Sequence, residues 1–343
     1  MHLRTCCGAL LGAWVGLVSS AAFAPTALAN DSTAELGAGG LVYLTTEAIK
    51  MTSEDLSISM DEVKVHYTFQ NVSDKDVTTL VAFPMPDIKG SLDFLDAIPT
   101  DDPVNFLGFK TLVDGKPVTA KVQQRVTALG VDQTALLTEL GIPLAPQLDA
   151  TRAALDALPK EKWAELINLG LAIPDTYDAG KGWENHLAPN WLLSTAYYWE
   201  QTFPAGKTVI VDHSYRPSVG STAGTSFGEA EASKAQWFAG YVDKYCIEPN
   251  FVAAAAKAAK NRAEDDYLME NRIEYILTTA ANWAGSIDRF HLTVDKGAPG
   301  NLVSFCGEGV KKTGPTTFEM TATDFYPEKD LSILILRGAK SAQ

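Results

Sequence analysis

The sequence is 343 residues long and carries 28 Lys and Arg against 42 Asp and Glu, a formal net charge of −14. A surface this acidic repels phosphate backbones and anionic lipid, which argues against nucleic acid as a partner. The charge favours solubility and selects no substrate class.

The chain opens with Met1-His2-Leu3-Arg4, then runs without charge from Cys7 to Ala24 and closes on Ala27-Leu28-Ala29 before Asn30-Asp31-Ser32. A positive start, an apolar middle and an A-x-A site predict a secretory signal peptide over residues 1–29. An uncleaved anchor would use a similar apolar length, about 20 residues. The A-x-A site and the abrupt polar start favour cleavage after Ala29. A lipoprotein needs its Cys at the cut, and Cys6 and Cys7 lie at the other end. The expected product is residues 30–343, periplasmic or secreted, with no integral membrane segment after cleavage. The apolar run Leu331–Leu336 is only strand-sized.

Strands come first in the chain. Val63, Val65, Tyr67 and Phe69 fall on one face of an alternating run, and Lys64, His66, Thr68 and Gln70 on the other. Asn71–Asp76 is turn chemistry, which predicts a hairpin returning as a strand over 77–83 and stopped at Pro84. Asp114-Gly115 between alternating runs predicts a tight two-residue hairpin. From about 127 to 190 the chain turns Ala- and Leu-rich. Helices are expected at 132–140, 149–158 and 159–169, as an insertion between strands. Strands resume at 196–203 and 208–216.

The Gly/Ser/Thr-rich stretch 217–225 reads as an inter-domain boundary. A helix is expected from Pro249, with Pro in its first turn. Strands are expected near 286–295, 302–306, 316–323 and 331–337. Residues 272–279 fit either a strand or a helical face, with strand preferred. The expected fold is mainly β with a helical insertion, in two antiparallel β-sandwich-like domains. These are a β-domain over 30–220 and an α+β domain over 221–343 with mostly antiparallel strands.

Cleavage leaves two cysteines, Cys246 and Cys306. An exported chain with a single pair is expected to bridge it. No C-x-x-C spacing suggests a redox or metal pair.

Four segments carry a resemblance: "NDSTAELGAGGLVYLTTEAIKMTSEDLSI", "FQNVSDKDVTTLVAFPMP", "YYWEQTFPAGKTVIVDHSYRP" and "YILTTAANWAGSIDRFHLTV". Together they resemble a bacterial family of exported proteins catalogued as domain of unknown function 4424, over nearly all of the mature chain. The resemblance implies export and adds no activity. The N-terminal part is also similar to the vault/inter-alpha-trypsin β-domain, an interaction module, which implies a β fold there.

Constellations that could carry chemistry have bland counterparts. Gly224-Thr225-Ser226-Phe227-Gly228 matches G-x-S-x-G, but a Gly/Ser/Thr loop precedes it where a nucleophile elbow needs a buried strand. Asp55-x-Ser57-x-Ser59 matches a metal-site triplet, yet its serines alternate with Leu56, Ile58 and Met60 as an outer strand face would. Asp87, Asp93, Asp96, Asp101 and Asp102 lack the spacing of a calcium loop. His66 and His291 project from polar faces. His213 shares a face with Val209, Val211 and Tyr215. The aromatic residues at 177–199 could grip a ligand or fill a core. No catalytic, metal or cofactor set is expected. The expected function is a non-enzymatic binding or interaction protein of the cell envelope, with an unknown envelope protein or small ligand as partner. The ligand-contacting candidates are Trp183, Trp191, Trp199 and His213. The alternatives are a hydrolase with an unrecognised site, or a carbohydrate binder using the 177–199 aromatics.

Overall fold

The computed structural model describes residues 30–92, 95–178, 180, 182–222, 224–227, 229, 231–261 and 266–340. The expected signal peptide, Asp93 and Gly228 lie outside them.

Alternation sets the first layer. Along the strand Val63–Asn71, Val63, Val65, Tyr67 and Phe69 are buried, while Lys64, His66 and Gln70 face solvent. Strand Thr208–Tyr215 buries Val209, Val211, His213 and Tyr215 and pairs antiparallel with it, Val211 opposite Tyr67. Both belong to an eight-stranded sheet, which is accompanied by a seven-stranded sheet, a five-stranded sheet and a two-stranded hairpin. The fold is mainly β. The Asp114-Gly115 turn forms as expected: Val113 lies opposite Lys116, and both turn residues take positive φ, 49° and 74°, the condition of a tight twisted hairpin turn.

The expected hairpin at 71–76 is different. Strands Val63–Asn71 and Val77–Pro84 do not pair with each other. The first lies in the eight-stranded sheet; the second lies in the seven-stranded sheet, between Leu192–Phe203 and Ser32–Gly37. Residues 72–76 are therefore an arch from one sheet to the other, and 204–207 is a second arch. The two brace each other. Asn71 Nδ2 donates to Phe203 O at 2.7 Å and to Lys75 O at 2.8 Å, and Ala205 N donates to Asp76 Oδ1 at 2.8 Å. Turn chemistry looks alike whether the chain returns beside its strand or crosses above it. Cover for the Tyr67 and Phe69 face decides for crossing.

Strands Lys121–Ala128 and Leu192–Phe203 pair antiparallel, so the residues between them form an excursion. Helices Thr134–Glu139, Asp149–Asp156 and Lys160–Asn168 occupy its first part. Its second part is an unanticipated hairpin, Ala172–Asp178 with Trp183–Pro189.

Sequence on both sides of the stretch 217–225 contributes to one sheet. Among the described residues, the strand pairings are antiparallel apart from Ile287–Asp295, which pairs in parallel with Ile49–Ile58. The stretch itself contains strand Val219–Thr222, paired with Asp266–Tyr275. A single apolar cluster holds Phe69, Phe83, Tyr197, Tyr275, Phe290 and Ile333. The preferred strand over 272–279 is present as Asp266–Tyr275, followed by a 3₁₀ turn at Thr278–Asn282.

Strands Asp266–Tyr275 and Leu331–Lys340 are buried on both faces. Ile273, Tyr275, Ile333 and Ile335 enter the main cluster, whereas Leu268, Leu334 and Leu336 meet a second one. That second cluster lies under helix Gln236–Tyr245, which was not anticipated, and helix Pro249–Lys260, which was. Two-sided burial explains why Leu331–Leu336 is nearly continuous in apolar residues. The Cα atoms of Cys246 and Cys306 are 5.0 Å apart, at disulfide distance, joining the end of the first helix to the residue after edge strand Leu302–Phe305. Among the described residues, no helix is long and apolar enough to cross a membrane.

Candidate functional site

Of the ligand candidates named from the sequence, Trp199 and His213 meet in the core, their rings 5.3 Å apart, and the four do not form one set. Trp191 and Trp199 are 1% and 4% exposed. Trp191 is fastened by its indole N–H to Leu144 O at 2.8 Å. Both are core residues: Trp191 ties down the excursion, and the Trp199 ring lies 5.3 Å from that of His213. Trp183 is 78% exposed, at the end of the two-stranded hairpin. His213 is buried, its Nε2 3.1 Å from Asp31 Oδ1. The fold does not bring these four side chains to one surface.

A better site lies where Thr222, residues 224–227 and Glu229 meet helix Gln236–Tyr245. It is an open cleft of about 500 Å³. Its floor is strand Asp266–Tyr275, which contributes Glu270. Thr225 Oγ1 donates to Glu270 Oε1 at 2.6 Å, and Arg272 Nη1 donates to Glu270 Oε2 at 3.2 Å and to Thr222 Oγ1 at 2.8 Å. Glu270 and Arg272 are largely buried, so the pair is rigid and its charges cancel locally. Tyr241 Oη reaches the same carboxylate at 3.5 Å. Burial, followed by the Glu270 charge, pushes the Tyr241 phenol up, so it stays protonated at neutral pH.

The wall is aromatic. Trp237 and Tyr241 sit one helical turn apart, their rings 5.2 Å apart at 77°. Phe227, fully buried, anchors the loop against Trp237, Tyr241 and Phe251. Trp237 remains 41% exposed and turns into the cleft. Glu229 and Ser226 complete the rim. Such a mixture of aromatic face, hydroxyl donors and a fixed carboxylate suits a small polar ligand with an apolar side. Another cavity, of about 530 Å³ around Arg289 and His291, has no carboxylate in its lining. A third, lined by Tyr215, Tyr245, Ser218, Asp87 and Glu274 among others, offers similar groups but is only about 130 Å³.

The sequence did carry a signal for this site. Trp237, Tyr241 and Tyr245 recur every four residues in "QWFAGYVDKY", a helical spacing beside a Gly/Ser/Thr loop.

Among the described residues, no histidine is hydrogen-bonded to Ser226. Each of the four described histidines has an Asp of its own: His66 with Asp212 at 2.6 Å, His186 with Asp156 at 2.7 Å, His213 with Asp31, and His291 with Asp55 at 3.1 Å. Asp55, first residue of the D-x-S-x-S match, thus partners a histidine. In register, His291, Asp55, His66 and Asp212 make one row across four neighbouring strands. Among the described residues, no group of three or more His, Cys, Asp or Glu is arranged to hold a metal ion. Treatment with a fluorophosphonate probe is expected to leave Ser226 unmodified. Stoichiometric labelling would establish a nucleophile and favour hydrolysis.

A mainly β chain with a helix-walled cleft is the class these features define. Residues 29–334 match the family model described as Domain of unknown function (DUF4424), and the chain belongs to that family. No curated protein matches it. Among solved structures it is similar to a Legionella pneumophila subsp. pneumophila protein provisionally described as nutrient binding. The identity is 16%, the match covers 90% of this chain and 70% of that one, and the TM-score is 0.42. It is also similar to an M1 zinc metallopeptidase from Deinococcus radiodurans. There the identity is 10%, the match covers 85% of this chain and 43% of that one, and the TM-score is 0.22. The chain thus spans less than half the metallopeptidase's length. At these TM-scores neither likeness assigns a chemistry to this chain.

Proposed function

We propose that this is an exported, non-enzymatic binding protein of the cell envelope, and that the cleft bounded by Thr225, Trp237, Tyr241 and Glu270 seats a small polar ligand. Export rests on the leader pattern of residues 1–29. The observation that carries the binding reading is the half-exposed Trp237 indole facing a cleft of about 500 Å³ beside a carboxylate already fixed by Thr225 and Arg272. Ligand sites of a few hundred Å³ with few, preset polar groups bind without reorganising. A ring of sugar or cyclic-polyol type would lay its C–H face on Trp237 and its hydroxyls toward Glu229, Ser226 and Thr225.

The test is a titration of the folded protein with monosaccharides, cyclic polyols and amino acids, read by tryptophan fluorescence and calorimetry. A ligand is expected whose affinity falls about 10–100-fold in Trp237→Ala, the loss of a stacking contact worth roughly 1–3 kcal/mol. Trp183→Ala should leave that affinity unchanged. Equal loss in both variants, or loss only in Trp183→Ala, would move the site to the hairpin.

A further inference from the structure

A second polar cluster lies deep between the sheets. Asn30, Asp31 and Glu54 are fully enclosed, at 0%, 0% and 1% exposure. Asn30 Nδ2 donates to Glu54 Oε2 at 3.0 Å. The Asn30 backbone nitrogen donates to Thr279 Oγ1, and Tyr67 Oη donates to Asn30 Oδ1. The Tyr67 and Tyr275 hydroxyls are 2.9 Å apart, and Tyr275 Oη reaches Glu54 Oε1 at 3.5 Å. His213 contacts one Asp31 oxygen, while Asp31 Oδ2 and His213 Nδ1 have no hydrogen-bond partner among the described residues. Two carboxylates are thus buried together, and the only cation-capable side chain described in contact with them is His213.

Buried carboxylates without matching positive charge are costly, and the usual remedy is a cation or a retained proton. We infer that the missing cation is the α-amino group of Asn30 itself, released when the leader is cut at Ala29, so that processing completes the core by giving Glu54 and Asp31 an internal ammonium. The inference rests on the export reading. Hydrolysis by a leader-cleaving endopeptidase consumes one water. The Ala29–Asn30 C–N bond breaks, Ala29 leaves as a carboxylate, and Asn30 keeps an amine that takes up a proton. A peptide nitrogen brings one donor and no charge. An ammonium brings three donors and a positive charge to a site that holds an unpartnered carboxylate oxygen.

The charge arithmetic gives a pH signature. Without the amine, burial pushes the Glu54 carboxyl up to about 8, aided by Asp31 and opposed by the Asn30 and Tyr275 hydrogen bonds. Burial likewise raises Asp31 against the opposing pull of His213. Tyr67 and Tyr275, on strands of two different sheets, are raised well above their ordinary value by burial and stay neutral. Thr279 brings no charge. A carboxyl raised in the folded state contributes stability that is complete below its ordinary range, near 4.5, and is lost as pH climbs toward 8. The free ammonium should abolish that loss by favouring the ionised carboxylate. Its own contribution holds below the usual amine range, roughly 7.7–8.0, and fades above its raised folded value.

The experiment compares two full mature chains made by tag removal, one beginning at Asn30 and one retaining Ala29, each also as Glu54→Gln. At pH 6.5 the chain beginning at Asn30 should melt about 5 °C higher, the scale set by breaking a buried pair. The gap should close in Glu54→Gln. In the Ala29-retaining chain the melting temperature should fall between pH 5 and 8, and in the other it should stay level. Equal midpoints, or a gap undiminished by Glu54→Gln, would overturn the inference. If Glu54→Gln does not fold, amine accessibility decides: a neutral-pH acylating reagent should spare the α-amine of the folded chain and modify it after denaturation. Rapid acylation of the folded chain would refute burial. Intact mass of the exported protein tests the cleavage site separately, because the recombinant chains do not depend on where the cell cuts.

Discussion

Phe69→Ala is expected to cost about 3–5 kcal/mol of folding stability, whereas His66→Ala costs no more than about 0.5. The residues lie three apart on one strand and on opposite faces. Phe69 is completely buried. Its ring is 4.6 Å from Trp283 and 5.9 Å from Phe203, so it joins strand Val63–Asn71 to the opposite sheet and to the segment after Asp266–Tyr275. Truncation removes apolar burial and opens a cavity among rings that cannot all close in. His66 is half exposed and hydrogen-bonds Asp212 on the outer face, where a solvent-exposed polar contact contributes little. Urea denaturation of both variants measures the difference. Equal losses would mean that the inner and outer faces are misassigned.

Replacing both Cys246 and Cys306 by Ser should cost about 4 kcal/mol if the pair is bonded. The residues are 60 apart in sequence, and in the chain-entropy model a loop of that size restricts the unfolded chain by about that amount. The structural consequence is local. Cys246 terminates helix Gln236–Tyr245 in a left-handed conformation, φ 49°, and Ser304, two residues before Cys306, already donates to Tyr245 O at 2.9 Å. Without the link, the helix rests on the small cluster of Phe227, Tyr245, Phe251, Leu334 and Leu336. Trp237 and Tyr241 ride on that helix, so ligand affinity should fall together with stability. Denaturation of oxidised, reduced and double-Ser protein, with a binding titration on each, reads both effects. Unchanged stability on reduction would show that the link adds nothing to the fold.

Sequence by itself determined what repeats locally. The faces of Val63–Asn71 and Thr208–Tyr215, the Asp114-Gly115 turn, the helices at 134–168 and at 249–260, and the strands 287–295, 302–305, 317–325 and 331–340 all follow from periodicity or turn chemistry within about ten residues. Tertiary structure alone decided where those pieces go. The same polar turn over 71–76 could have closed a hairpin, and it crosses between sheets because the Tyr67 and Phe69 face needed covering. Trp191 and Trp199 were ligand candidates in the sequence and are core in the fold, because an aromatic side chain has the same letter in either place. Strand pairings such as Ile49–Ile58 with Ile287–Asp295 join residues more than two hundred positions apart, and alternation specifies a buried face without naming what buries it. The cleft has the same origin: Thr225, Trp237 and Glu270 meet only because helix Gln236–Tyr245 folds over the second face of strand Asp266–Tyr275.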